Sequence, residues 1–254
     1  MSGRSTVSVV FLTAAAESGT RASPFGAARV ASALRAAYSR SGLVKVHIVE
    51  GLTSDRAETL AARAMEAKPL VVGMSLYSWN SRLLLSAGAL VKAKYPHVVL
   101  VAGGPDASAK PDRIYKEGAA DIVVAGEGEA VMTDIVASIL NGRPLPGPII
   151  RAPLLDPTLL SSPWLDGTLD PARWGSAALE LTRGCPYRCS FCFESKGSSK
   201  LRRFPLDTAE KELVTFSKAG VEEVFVLDPT FNADERRMED AVRVFREAGP
   251  ELRY

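Results

Sequence analysis

Cysteine, histidine, net charge and long apolar runs are all scarce in this sequence. Its 254 residues include three cysteines and two histidines, and the formal net charge at pH 7 is +2. An odd number of cysteines, all in one short stretch, does not build a disulfide framework, so we expect a reducing, cytoplasmic environment. The small net charge argues against nucleic acid as a partner. No apolar run approaches the roughly 18 residues of a membrane span, so no membrane association is expected.

The remaining composition is that of a globular protein with a sizeable core. Hydrophobic residues make up 46% of the chain and charged residues 24%, and the length suits one large or two small domains. Residues 7–13, which follow Arg4, are mostly apolar and rich in β-branched side chains. They predict a buried first strand, and a short signal peptide is the alternative interpretation.

All the cysteines lie within residues 182–194, which read TRGCPYRCSFCFE. The spacing is C-x3-C-x2-C, formed by Cys185, Cys189 and Cys192. Thiolates are ligands for iron–sulfur clusters and for zinc, but a structural zinc site normally has four ligands. His47 and His97 lie far upstream, and each is expected to be structural. Three thiolates on one loop therefore fit a cubane cluster with one open iron, the alternatives being inert thiols or a partial zinc knuckle.

Apolar strands alternate with helices over the first 142 residues. Strands are expected at 7–13, 44–49, 70–75, 98–102 and 122–125, and helices at 26–40, 54–68, 81–95, 112–117 and 130–140. This alternation predicts an α/β fold, a Rossmann-like doubly wound parallel sheet with helices on both faces. Ligands of such sheets bind at the carboxyl ends of the strands.

Three loops at that edge of the sheet hold the candidate ligand-binding residues. They are Ser75, Leu76 and Tyr77 after the third strand, Gly103 and Gly104 after the fourth, and Gly126 and Glu127 after the fifth. Glycine allows a backbone to approach a ligand closely, although each glycine pair by itself also indicates a tight turn. Tyr77 and Trp79 are expected either to line a ligand or to pack between domains. The first strand is not followed by G-x-G-x-x-G, which counts against a plain nucleotide-binding Rossmann domain.

Residues 143–176 contain seven prolines, and we expect a linker without regular structure there. Residues 177–254 follow with a second alternating pattern. It comprises a strand at 177–181, a loop at 196–200, a helix within 205–219 capped by Asp207, a strand at 223–227, a helix at 234–248 and a strand beginning at 252. This pattern begins a (β/α) barrel, but a complete barrel takes about 250 residues. We therefore expect an incomplete barrel, and a chain that is a fragment or a truncated reading frame.

The cysteine stretch resembles the radical S-adenosylmethionine (SAM) family in its spacing, in Arg183-Gly184, in Pro186 and in the aromatic Phe191 beside the third cysteine. The resemblance implies that the three cysteines hold a 4Fe-4S cluster whose open iron binds SAM, and that reduction cleaves SAM to a 5′-deoxyadenosyl radical. Phe191 would flank the cluster or the SAM adenine.

The same resemblance places Asp228, Thr230 and Asn232, at the end of the second barrel strand, near the amino end of SAM. The usual Gly-Gly-Glu of the family is absent there. The alternative is a proline-centred turn that caps a helix through Asn232 or Asp234. Arg202 and Arg203 are expected to meet a carboxylate or phosphate, or to form a solvated basic turn.

Residues 1–142 resemble the cobalamin-binding domain that precedes many radical SAM domains. The likeness is carried by Gly103-Gly104-Pro105 and by the segment Gly-Glu-Gly-Glu at 126–129, and Ser75-Leu76 matches in part. The loop after the first strand has no D-x-H-x-x-G, so cobalt would have no histidine ligand from below.

Together the two resemblances imply a cobalamin-dependent radical SAM enzyme, expected to be a methyltransferase acting on an unactivated carbon. Methylcobalamin would donate the methyl group, and a second SAM would supply the radical. Rearrangement or cyclisation without methylation is one alternative, and a non-catalytic cobalamin and Fe–S binding module with little SAM cleavage is another. The implied partners are a small-molecule or peptide substrate and an electron donor such as flavodoxin or ferredoxin. No catalytic side chain is nominated.

Overall fold

The structure is a computed structural model that describes residues 6–16, 23–194 and 198–254. The chain divides into two compact units, the first ending at Pro153 and the second beginning at Leu154, with the short segment that ends at Phe25 assigned to the second. The loop predicted at 196–200 lies partly outside the described residues, and Arg4 lies wholly outside them. Among the helices described, none has the length and hydropathy to cross a membrane.

The first unit is built on one parallel six-stranded sheet. Its strands are β1 (Val7–Ala15), β2 (Val44–Leu52), β3 (Val71–Ser75), β4 (Val99–Gly103), β5 (Ile122–Ala125) and β6 (Ile149–Arg151). They lie in the order β2-β1-β3-β4-β5-β6, the flavodoxin-like order with one further strand. The predicted α/β class and parallel sheet are confirmed, and residues 7–13 belong to a strand paired on both sides.

Six helices connect these strands. They are α1 (Phe25–Tyr38), α2 (Ala57–Met65), α3 (Ser81–Lys94), α4 (Pro105–Ala109), α5 (Pro111–Lys116) and α6 (Gly128–Leu140). Alternate residues of β1 enter two different apolar cores. Val10 and Leu12 pack with α2 and α3 on one face of the sheet, whereas Val9 and Phe11 pack with α1 and α6 on the other. Burial on both faces explains why most residues of this strand are apolar.

The segment predicted as a linker without regular structure contributes a strand to the sheet. Ile149, Ile150 and Arg151 pair with β5 between Pro148 and Pro153, so that expectation is wrong for these residues. Further along, residues 157–159 and 171–173 form single 3-10 turns, each capped by an aspartate. The short helix α4 also differs from the expectation, because Gly103-Gly104-Pro105 by itself indicates a turn.

The second unit repeats the strand–helix pattern. Its elements are β7 (Ser176–Leu179), β8 (Thr182–Arg183), β9 (Arg202–Arg203), α7 (Leu206–Lys218), β10 (Glu223–Val226) and α8 (Glu235–Ala248). Strands β7 and β10 are parallel, and an isolated parallel bridge joins Glu223 to Arg253. This arrangement is the beginning of a (β/α) barrel, as predicted. The expected cap of α7 is wrong, because the helix begins one residue before Asp207 and its N-cap is Pro205.

Trp164 anchors the proline-rich segment to the second unit. Its indole Nε1 donates to the carbonyl oxygen of Ala178 at 2.9 Å, and its ring packs edge-on against Phe216 of α7 and against Trp174. Beside it, the Ser162 hydroxyl bonds the buried carboxylate of Glu212. These contacts fix the segment around Trp164 to α7 and β7 of the second unit.

Candidate functional site

The carboxyl ends of β1 and β3 meet where the strand order reverses, the position at which open α/β sheets bind ligands. Asn80, fully buried, ties these two ends together. Its amide nitrogen donates to the carbonyl oxygens of Ala14 at 3.0 Å and Ser75 at 3.2 Å. Its amide oxygen accepts the Tyr77 N–H at 2.8 Å. One side chain therefore fixes both strand ends and the turn that carries Tyr77.

The loop after β4 brings its backbone against the loop after β3. The Leu76 N–H donates to Gly103 O at 2.8 Å, and the Asp106 N–H donates to Leu76 O at 3.1 Å. Gly104 has φ +97°, and a Cβ there would lie 2.6 Å from the Leu76 oxygen, so only glycine fits. A Cβ at Gly103 would meet nothing within 4 Å. The backbone at Gly103 is therefore open to a ligand.

Ser108, on α4, joins the loops after β4 and β5. Its hydroxyl donates to Gly104 O at 2.9 Å and accepts the Gly126 N–H at 2.9 Å. Glu127, half-buried, follows directly and is the N-cap of α6. The structure thus brings the three predicted loops together at one edge of the sheet. Sequence reasoning does not identify Ser108, because α4 is not predicted, and it assigns no role to Asn80.

Tyr77 and Trp79 lie in the turn after β3 and stack on each other, with ring centroids 4.5 Å apart. Burial raises the pKa of the Tyr77 hydroxyl, and its hydrogen bond with Ser75 acts in the opposite direction. At neutral pH this side chain is therefore a neutral hydrogen-bonding group. Trp79 is 55% exposed, so one of the two rings offers apolar surface at this edge.

The cysteine loop begins at a backbone contact that requires glycine. Gly184 has φ +90°, and a Cβ there would lie 2.5 Å from the Lys200 carbonyl oxygen. Strands β8 and β9 pair on one side of this contact, and the Cys185 N–H donates to Ser198 O at 3.1 Å. The two ends of the loop are thereby held together, which explains the glycine before the first cysteine.

The three cysteines differ in exposure. Cys185 is buried, Cys189 is exposed and Cys192 is half-buried, and the Cys192 N–H donates to Cys189 O at 3.1 Å. Within the described ranges, no three His, Cys, Asp or Glu side chains are grouped so as to hold a metal ion. The expected convergence of the thiols on one point is therefore not seen here. Phe191, the predicted flanking aromatic, is 91% exposed.

The end of β10 contacts the start of the cysteine loop. One carboxylate oxygen of Asp228 accepts the N–H groups of Leu181 at 2.8 Å and Thr182 at 3.0 Å. Burial raises the pKa of this carboxyl, against the opposing effect of those hydrogen bonds. Two residues later, Thr230 Oγ1 lies 3.1 Å from Cys185 Sγ. The Asp228 carboxylate is therefore hydrogen-bonded to the backbone just before the cysteine loop.

The alternative interpretation of this segment, a turn that caps a helix, is correct for Asp234. Its carboxylate accepts the Arg237 N–H at 3.1 Å at the start of α8, whereas Asn232 is exposed. Asp234 also forms an ion pair with Arg203. Arg202 donates to the carbonyl oxygen of Leu155 at 2.7 Å. Both arginines thus contact groups of the second unit.

Charged groups also flank the cysteine loop. Arg183 and Glu180 form an ion pair at 2.9 Å with side chains only 13% and 16% exposed. The pKa of the Glu194 carboxyl is raised by burial and, to a smaller degree, by the negative charge of Glu180. The histidines take no part in either site: His47 is exposed on β2, and His97, also exposed, packs edge-on against Tyr95.

Comparison with protein families identifies both parts of the chain. Residues 12–136 match the family model of the B12 binding domain, and residues 179–254 match that of the radical SAM superfamily. The chain combines a B12 binding domain with a radical SAM domain. The first match covers β3, β4, β5 and the loops that Asn80 and Ser108 tie together, and the second begins at the end of β7 and includes all three cysteines.

Two relatives of this two-domain chain are methyltransferases. It is 34% identical over 200 residues to the cobalamin-dependent radical SAM methyltransferase TokK of Streptomyces tokunonensis. It is 32% identical over 200 residues to the 2-(S-pantetheinyl)-carbapenam-3-carboxylate methyltransferase of Streptantibioticus cattleyicolor. Each alignment covers 68% of this chain, which spans only 29% of each relative's length.

A solved structure has the same fold. The radical SAM methyltransferase TsrM of Kitasatospora setae, with tryptophan substrate and a SAM analogue bound, superposes with a TM-score of 0.75 at 17% identity. The superposition covers 97% of this chain and 52% of that one. At this identity the likeness concerns the fold, and it supports the assignment of a parallel sheet followed by the start of a (β/α) barrel.

Proposed function

We propose that this chain takes part in methyl transfer from SAM to an unactivated carbon of a small-molecule or peptide substrate. The observation that carries the proposal is the presence of a B12 binding domain and a radical SAM domain in one chain. The methyltransferase relatives favour methylation over rearrangement or cyclisation. Because the chain spans less than a third of each relative, the activity of the whole is proposed from this part.

The residues of the first unit fit a corrin. The open backbone at Gly103 and the tied loops around Leu76, Gly104 and Gly126 form a platform on which a flat ligand can rest. Ser75, Tyr77 and Glu127 would contribute polar contacts at its rim. Asn80 and Ser108 would hold this platform in place, because their side chains bond the backbone of the loops.

The cysteine loop fits a cluster by its donor chemistry. Three thiols within eight residues, in a loop closed by β8 and β9, match the three protein ligands of a 4Fe-4S cluster whose fourth iron site is free for SAM. When bound, the cluster supplies the electron for SAM cleavage and cobalamin carries the methyl group. Phe191, Asp228 and Asn232 are proposed to lie near SAM. The protein's part is to position the thiolates.

The proposed partners follow from this chemistry. Reduction of the cluster needs an external one-electron donor of the flavodoxin or ferredoxin kind. Free thiols and a cluster require a reducing compartment, which supports a cytoplasmic location.

The products formed from SAM test the proposal. Anaerobically reconstituted protein is incubated with SAM and a reductant, and the nucleosides are measured by mass spectrometry. Methyl loss from SAM yields S-adenosylhomocysteine, whereas radical cleavage yields 5′-deoxyadenosine. We expect S-adenosylhomocysteine to form only when cobalamin is supplied. Formation of 5′-deoxyadenosine alone would favour rearrangement or cyclisation, and cofactor binding without either product would favour a binding module.

A further inference from the structure

Thr230 contacts the sulfur of the first cysteine from outside the cysteine loop. Its Oγ1 lies 3.1 Å from the Sγ of Cys185, which is the buried cysteine of the three. Thr230 is itself half-buried. Because the hydroxyl comes from the segment after β10, this contact links two parts of the second unit that are far apart in the sequence.

The segment that carries Thr230 is held at a second point. Asp228, two residues earlier, accepts the N–H groups of Leu181 and Thr182, which lie just before Cys185. Pro229 lies between the two contacts. Its own φ is fixed by the ring, and it restricts the backbone of the preceding Asp228 to extended conformations. Thr230 is therefore placed against the sulfur by a short and restrained connection.

The state of the cysteine decides which atom donates. A thiol and a hydroxyl can donate to each other, but a thiolate can only accept. A cysteine that ligates iron is a thiolate, so the Thr230 hydroxyl must then donate to Cys185. A hydrogen bond to a ligating sulfur offsets negative charge, and it stabilises the reduced, more negative cluster more than the oxidised one.

We propose that Thr230 is a positioning residue that donates a hydrogen bond to the Cys185 thiolate and thereby raises the reduction potential of the cluster. This proposal rests on the proposed function, since it requires a cluster on the three cysteines. It gives the segment from Asp228 to Thr230 a role in holding the cluster loop, in addition to the contact with SAM that the sequence suggests.

The test is a redox titration of the reconstituted 254-residue protein and its variants. Thr230→Val removes the hydroxyl at nearly constant shape, Thr230→Ala removes it with a smaller side chain, and Thr230→Ser keeps it. Thr215→Val, on α7, removes a hydroxyl that bonds the Lys211 carbonyl and serves as the control. Iron content, thermal unfolding and the reduced fraction by electron paramagnetic resonance are measured for each protein.

We expect Thr230→Val and Thr230→Ala to lower the ratio of reduced to oxidised cluster at a fixed solution potential by about two- to tenfold, the effect of one hydrogen bond. Thr230→Ser and Thr215→Val should match the unaltered protein. Loss of the cluster in both hydroxyl-free variants, with unfolding unchanged and the cluster kept by Thr230→Ser, also supports the proposal. An unchanged ratio in the hydroxyl-free variants, or an equal shift in Thr230→Ser, would overturn it. If the unaltered protein holds no cluster, the cysteine site fails, and this proposal fails with it.

Discussion

The buried side chain of Asn80 holds together the edge of the sheet that is proposed to bind cobalamin. Asn80 donates to one carbonyl oxygen at the end of β1 and one at the end of β3, and it accepts the N–H of Tyr77 in the following turn. Such a residue stabilises the folded state mainly because its removal would leave buried backbone groups without hydrogen-bond partners, which costs more than the bonds themselves contribute. Its loss should therefore affect both folding and the geometry of the edge.

Asn80→Ala should lower the free energy of unfolding by about 2–4 kcal/mol, because several buried polar groups lose their partner. Asn141→Ala is the matched control. The exposed Asn141 amide also donates to a backbone carbonyl, yet its removal should cost less than about 0.5 kcal/mol. Urea unfolding of both variants measures the difference. Equal losses in the two variants would contradict the assigned role.

Asp228 is a second residue with an identifiable physical role. Asp228→Ala should cost about 2 kcal/mol, since two backbone N–H groups lose their acceptor. Asp228→Asn should cost much less, because an amide oxygen can still accept both hydrogen bonds. The comparison of the two variants by urea unfolding separates the hydrogen bonds from the charge.

The pH dependence of stability gives a further test at Asp228. Folding raises the pKa of this carboxyl through burial, so the folded state binds the proton more tightly than the unfolded state. Its contribution is fully present below the ordinary aspartate pKa of about 4 and is lost as the pH rises through the raised value. Relative to Asp228→Asn, the unaltered protein should lose stability over that range and then level off. A relative gain in stability over that range would contradict the stated cause.

At the scale of elements, the two glycines after β4 have different roles although they are adjacent. Gly104→Ala should destabilise the protein by about 2 kcal/mol or more, because it combines a positive φ with a clash against the Leu76 backbone. Gly103→Ala should change stability by less than about 0.5 kcal/mol, since its Cβ meets nothing. Thermal unfolding of the two variants distinguishes them.

The same pair tests where the corrin binds. If it rests on the open backbone at Gly103, then Gly103→Ala should weaken cobalamin binding without loss of stability. Titration of hydroxocobalamin by absorbance measures this. Unchanged affinity in a folded Gly103→Ala protein would place the ligand elsewhere.

The elements that the sequence predicts well are those whose signal is local. The four inner strands, β1, β3, β4 and β5, are recognisable because burial on both faces makes each one largely apolar. Strand β6 is not recognisable because only three residues pair with β5, and the prolines on either side of it favour a loop when no partner strand is known. Helix α4 was missed for a similar reason: Gly104 and Pro105 indicate a turn, yet proline is well suited to the first turn of a helix.

The candidate sites divide in the same way. The glycine loops and the cysteine spacing are visible in the sequence, because they are short and contiguous. The contacts of Asn80 with Ala14 and of Thr230 with Cys185 are not visible in the sequence, because the partners lie 66 and 45 residues away in the chain. The spacing of the cysteines predicts that they bind a cluster, but it does not predict where each thiol lies. In the structure the three thiols differ in exposure.

At the scale of the whole molecule, the chain joins two domains that each have their own candidate site. The B12 binding domain offers loops at the edge of a parallel sheet, and the radical SAM domain offers a closed loop with three thiols. If each domain binds its own cofactor, the residues of one site can be changed while the other site still binds.

The most direct measurement is anaerobic reconstitution with iron, sulfide and hydroxocobalamin, followed by iron analysis and an absorption spectrum. The variant that combines Cys185→Ala, Cys189→Ala and Cys192→Ala is treated in parallel. We expect cluster absorbance and bound iron in the unaltered protein only, with corrin bands retained in both proteins. Cluster absorbance that persists in the triple variant, or an unaltered protein that binds neither cofactor, would contradict it.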